Sequence, residues 1–154
     1  MTTKITADNV DTLALGVVNG VVQTTLAAAL EKVTVSATAA TGTINYDLST
    51  QSVLYYTSNA SGNWTLNVRG NSSTTLNSLM TTGQSITLAF LATQGSPAYY
   101  NSSVTVDGAA ATVEWFGGSA PSAGNVNGID VYTYTVIKTA SATFTVLASQ
   151  SRFA

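Results

Sequence analysis

The segment Ile129–Ser149, IDVYTYTVIKTASATFTVLAS, decides the fold. Two runs rich in β-branched and aromatic residues flank the short Thr139-Ala140-Ser141 connection, the pattern of two consecutive strands joined by a tight turn. Side chains alternate along a strand, so Val131, Thr133, Thr135 and Ile137 share one face while Tyr132, Tyr134, Val136 and Lys138 share the other. Neither face is cleanly polar. Such a strand has its own core on one side and a partner on the other, or lies in a two-sheet core.

The same texture recurs upstream as short alternating runs separated by turn residues. Strands are predicted at VTVSAT (33–38), TINYDL (43–48), SVLYYT (52–57), NWTLNVR (63–69), SITLAFLATQ (85–94), SVTVD (103–107) and ATVEWF (111–116). Asp107-Gly108 supplies the positive φ angles of a tight hairpin, and Ser61-Gly62-Asn63 is predicted to do the same before Trp64. Helix is confined to a turn or two at STTLNSLMT (73–81), with TLAAALEKV (25–33) as a weaker candidate. The expected fold is all-β: an antiparallel β-sandwich, jelly-roll or immunoglobulin-like, over residues 31–154, preceded by an N-terminal arm over 1–30.

Composition narrows the function. A length of 154 residues suits one domain, and only five basic and seven acidic side chains give a net charge of −2. Between Asp47 and Asp107 the single charge is Arg69. Solubility therefore rests on neutral Thr, Ser, Asn and Gly. Lys4, Lys32, Arg69, Lys138 and Arg152 are scattered, so no basic patch for nucleic acid is expected. With no cysteine and no histidine, disulfides and the usual zinc, copper and haem ligand sets are absent from the sequence, and no cofactor is expected. The run Leu13–Leu30 is interrupted by Asn19, Gln23, Thr24 and Thr25, and Asp8 and Asp11 precede it. Neither a membrane span nor an export signal is expected.

Catalysis needs convergent titratable groups. A serine triad lacks its base here, and no G-x-S-x-G occurs. Asp47, Asp107, Glu114 and Asp130 are the carboxylates a glycosidase mechanism would have to draw on, but Asp107 already has a turn role and Asp130 starts a strand. The chain is expected not to be an enzyme. Aromatic residues offer a second chemistry: Trp64, Trp115, Tyr55, Tyr56, Tyr99, Tyr100, Tyr132 and Tyr134 could offer flat apolar faces to a glycan, and Trp64, Trp115, Phe116, Tyr132 and Tyr134 are the expected exposed contact surface. Core packing accounts for strand aromatics more economically. The triplets TGT (41–43), TYT (133–135) and TFT (143–145) lack the constant spacing of an ice-binding ladder, and the sequons at Asn59, Asn63, Asn71 and Asn101 are what an Asn-, Ser- and Thr-rich chain produces by chance.

From Gly83 to Ala154 the chain carries AYYN (98–101), VTVDG (104–108), WFGGSAPSAGN (115–125), DVYTYTVIKTA (130–140) and a terminal Phe153-Ala154. In these elements it resembles the C-terminal module shared by virion structural and tail-fibre-like proteins of marine tailed phages, especially cyanophages. The resemblance implies a virion structural role, with the Gly117–Gly128 loop as a shape element stiffened by Pro121. A chain with Met1, no heptads and a thirty-residue arm fits a capsid-surface decoration protein, a knob attached to the major capsid protein, better than a long tail fibre. The arm, able to reach roughly 100 Å when extended, would dock through Ile5, Val10, Leu13, Leu15, Val17, Val18, Val21 and Val22. The alternative is a tail-fibre or tail-tip component binding a host-surface glycan.

Overall fold

A computed structural model describes residues 30–154. The capsid-docking positions Ile5, Val10, Leu13, Leu15, Val17, Val18, Val21 and Val22, and most of the helical candidate at 25–33, lie outside the described residues. Glu31–Ala154 forms one compact unit.

Among the described residues ten strands follow in order: β1 (Val33–Ala39), β2 (Gly42–Asp47), β3 (Val53–Ser58), β4 (Trp64–Arg69), β5 (Ser85–Thr93), β6 (Asn101–Val106), β7 (Ala109–Ala110), β8 (Thr112–Trp115), β9 (Ile129–Ala140) and β10 (Thr143–Phe153). One short helix, α1 (Leu76–Leu79), precedes β5 inside the segment predicted to be helical. Each predicted strand is present, with ends shifted by a few residues. The all-β expectation holds.

The strands form two sheets, a six-stranded one in the order β1-β3-β5-β9-β10-β8 and a four-stranded one in the order β2-β4-β6-β7. Purely antiparallel pairing is corrected by this structure. β1 with β3, β3 with β5, β2 with β4, β4 with β6 and β8 with β10 are all parallel. The cause is the path of the chain: from β1 to β6 it crosses to the other sheet after every strand. Each strand therefore meets in its own sheet the strand two before it, running the same way, and the intervening strand serves as the long crossover that parallel pairing requires. Antiparallel pairing appears where the crossing stops, at β6–β7, β5–β9 and β9–β10.

One core lies between the sheets. Leu54, Leu88, Phe90, Tyr132, Tyr134, Val136 and Val146 from the six-stranded sheet meet Ile44, Tyr46, Trp64, Leu66, Val68, Val104 and Val106 from the four-stranded one. Trp64 spans the layers, its indole edge-on to Phe90 at 5.8 Å and to Tyr132 at 5.5 Å between centroids. Such pairs add ~0.5–1.5 kcal/mol each beyond area burial.

The ends of the two-layer body are closed by polar links. Asp107 and Gly108 adopt φ of 52° and 81°, as expected for the β6–β7 hairpin, whereas neither Gly62 nor Asn63 has the positive φ expected of it. Freed by that turn, the Asp107 carboxylate accepts from the backbone N–H of Leu76 (2.6 Å) and Asn77 (2.9 Å) at the start of α1. Lys138, buried at the far end of β9, donates from Nζ to the carbonyls of Asn77 (2.6 Å) and Met80 (2.8 Å). A four-residue helix is too short to hold itself. These charged groups pin it at both ends.

Candidate contact surface

The outer faces of the two sheets differ in chemistry. On the four-stranded sheet the outward residues are polar and joined to one another. Asn67 Nδ2 donates to Asn45 Oδ1 (2.8 Å), Thr105 Oγ1 donates to Asn67 Oδ1 (2.9 Å), Thr65 and Ser103 share a hydroxyl hydrogen bond (2.6 Å), and Arg69 Nε pairs with Asp47 Oδ1 (2.6 Å). This face is built for water.

The six-stranded sheet is different. Its register places Val35, Tyr55, Leu91, Val131 and Ser151 in one row across five strands. Beside it lies the row Val33, Val53, Ala89, Thr133 and Ser149. Alternation within each strand turns Leu54, Phe90, Tyr132 and Ala148 inward, so these two rows face out. Val33, Val35, Leu147, Phe116 and Phe153 stand exposed on or beside this face. Among the outward residues of the sheet's strands, Glu114 is the one charged side chain. The mixed character of the 129–138 strand thus has a structural meaning: Tyr132 and Tyr134 point into the core, and Val131, Thr133, Thr135 and Ile137 point out.

At the β8 edge the face deepens into a groove of about 390 Å³ lined by Glu114, Trp115, Phe116, Thr133, Thr135 and Leu147, among others. Phe116 is 87% exposed where the chain leaves β8 through a single 3₁₀ turn, and Gly117 and Gly118 both take φ near +80° there (79° and 78°). Trp115 is half-buried against the core, edge-on to Tyr134. Of the five aromatic residues expected at an exposed contact surface, these two reach the groove. Trp64, Tyr132 and Tyr134 do not: Trp64 is 1% exposed and both tyrosines are fully buried, because their strand positions have inward parity. Burial pushes the Tyr132 and Tyr134 phenols well above their ordinary range.

The carboxylates do not converge on this groove. Asp47 is paired with Arg69, Asp107 caps α1, and Asp130 is fully buried beneath two loops. Asp130 Oδ2 accepts from Gln94 Nε2 (3.0 Å) and from the backbone N–H of Asn125 (3.1 Å), and its Oδ1 makes no hydrogen bond. Desolvation raises its pKa, opposed by these donors and by Arg152. Asp130 fastens the Gly117–Gly128 loop. Arg152 and Gln150 both donate to the Ala123 carbonyl (2.8 and 3.1 Å), and Asn125 Nδ2 donates to the Phe153 carbonyl (2.9 Å). At Gly124 a Cβ would come within 2.2 Å of the Tyr99 carbonyl, so the close approach of the loop needs glycine there. The loop is a built element, held from both flanks by these bonds.

Among the described residues, no group of three or more His, Cys, Asp or Glu side chains is placed to hold a metal ion. No described helix is long and apolar enough to cross a membrane. Comparison with protein-family models, with curated proteins and with solved structures returns no match.

Proposed function

We propose that this chain is a non-enzymatic virion structural protein, a capsid-surface decoration protein held on the major capsid protein by its N-terminal segment. The observation that supports the reading is the outer face of the six-stranded sheet: broad, mixed apolar and hydroxyl in character, and carrying one charged side chain. A water-exposed face of this composition belongs to a protein that works by contact. The resemblance of Gly83–Ala154 to phage virion modules supplies the setting. In this reading the body is a β-sandwich whose alternation between layers departs from the jelly-roll and immunoglobulin patterns, since those are built from antiparallel pairs.

A tail-fibre role with a host-surface glycan as ligand is the second reading. The groove favours it: an exposed Phe116 ring beside the Glu114 carboxylate and the Thr133 and Thr135 hydroxyls pairs a flat apolar surface with hydrogen-bonding groups. Antibody raised against residues 33–154 and imaged on intact phage particles tests both. Label spread over the head is expected. Label confined to the tail would replace the decoration reading by the fibre, and unlabelled particles would sink both.

A further inference from the structure

We infer that the outer face of the six-stranded sheet is a self-association surface, covered by the same face of a second copy of this chain. The inference does not depend on where in a virion the chain sits. Three observations carry it. Apolar side chains run across the sheet in the row Val35–Tyr55–Leu91–Val131, over four strands, with the Tyr55 hydroxyl as that row's one polar group. Charge is absent from that row and from its neighbour, so two such faces meet without burying an unpaired ion, the commonest obstacle to packing a surface against itself.

Size is the third. Six strands spaced by ~4.8 Å, with about eight residues each at ~3.3 Å, make a face of roughly 800 Å². That is about one partner's share of a standard interface. A two-fold pairing would make the contact isologous, with Tyr55, Leu91 and Val131 near its middle and the Glu114 groove at its rim. A small polar ligand would leave the Val35–Val131 row wet, and a nucleic acid would find no cation on it.

Sedimentation velocity over a concentration series of the full chain tests the assignment. A dimer is expected. Leu91→Lys places a charge at the centre and should weaken it by at least ~30-fold, the loss expected at an interface hot spot. Because Leu91 is half-buried in the single chain, the pair Val35→Lys and Ser151→Lys, both at exposed positions of the same row, provides variants whose fold should be undisturbed in far-ultraviolet circular dichroism. Either should shift the chain toward monomer, while Thr65→Lys on the opposite outer face should leave the dimer intact. A wild-type chain that is monomeric at every concentration overturns the inference and assigns the face to another occupant. A dimer unchanged by Val35→Lys and Ser151→Lys, or broken by Thr65→Lys instead, overturns it equally.

Discussion

At the residue scale, two side chains show how local conflicts are tolerated. Ala142 closes the β9–β10 hairpin at φ 51°, in the left-handed region that a Cβ disfavours. Its backbone N–H donates to Asn77 Oδ1 (2.8 Å), a bond glycine retains. Ala142→Gly is therefore expected to stabilise the fold by about 0.5–1 kcal/mol, the steric relief exceeding the extra chain entropy lost, as read by urea denaturation. Asp130 is the opposite case, a buried carboxylate that costs stability when ionised. Its pKa is raised in the folded chain, so the unfolded state releases the proton first as pH rises. Stability contributed by this group is full below the ordinary carboxylate range and is lost as pH climbs through the raised value. Asp130→Asn keeps an acceptor for Gln94 and Asn125 and should flatten that part of the pH–stability curve, with a higher midpoint at pH 7. Asp130→Ala removes the acceptor and should cost ~1–3 kcal/mol below the carboxylate range, a cost that shrinks as pH rises and the wild-type carboxylate ionises. Should both variants melt alike at pH 7, the assigned role of Asp130 would be wrong.

At the element scale, the structure explains why the strands were legible in the sequence and their partners were not. Period-two alternation located the strands because one face of each is buried. Pairing needs a further signal. That signal exists as a degenerate repeat, T-I-N-Y-D (43–47), T-L-N-V-R (65–69) and S-V-T-V-D (103–107), whose members stack in register on neighbouring parallel strands. The spacing hides it: Asn45 and Asn67 are 22 residues apart, whereas Asn67 and Thr105 are 38 apart, because α1 and its flanking loops enter the second interval. Alternation put Tyr132 and Tyr134 on one face with Val136 and Lys138 but left open whether that face is core or contact surface; the structure buries it, with Lys138 accommodated at its end because its Nζ caps α1. The aligned asparagines give the repeat an energetic consequence. Asn67 joins three partners, since its Oδ1 also accepts from the Gly108 N–H (2.8 Å). Asn67→Val should cost about 2–3 kcal/mol at ~1 kcal/mol per hydrogen bond, measured by urea denaturation, whereas Thr65→Val, which loses one exposed bond to Ser103, should cost under ~1 kcal/mol. Equal costs would mean that the ladder contributes nothing specific.

At the scale of the whole molecule, alternation between layers governs how the chain must fold. Val33 pairs with Val53 and Val53 with Ala89, and on the other sheet Trp64 pairs with Asn101. No pairing from β1 to β6 can form by zipping a hairpin, because each joins strands separated by a strand of the opposite sheet. Only β6–β7 and β9–β10 are local. Loop closure must therefore precede most of the contacts that reward it, and the transition state has to assemble both sheets together. Refolding of a chain spanning Glu31–Ala154, a compact unit by its own contacts, should be two-state at equilibrium and slow for its size, on the millisecond-to-second scale of non-local β-proteins. The β9–β10 hairpin, with Thr143 to Phe153 paired along Ala140 to Ile129, is the nucleus this topology makes available first. Val146→Ala, buried in that hairpin, should slow folding more than it speeds unfolding, whereas Ile44→Ala on edge strand β2 should act mainly on unfolding. Stopped-flow chevrons of the two variants decide the point, and a reversed pattern would place the nucleus in the alternating half.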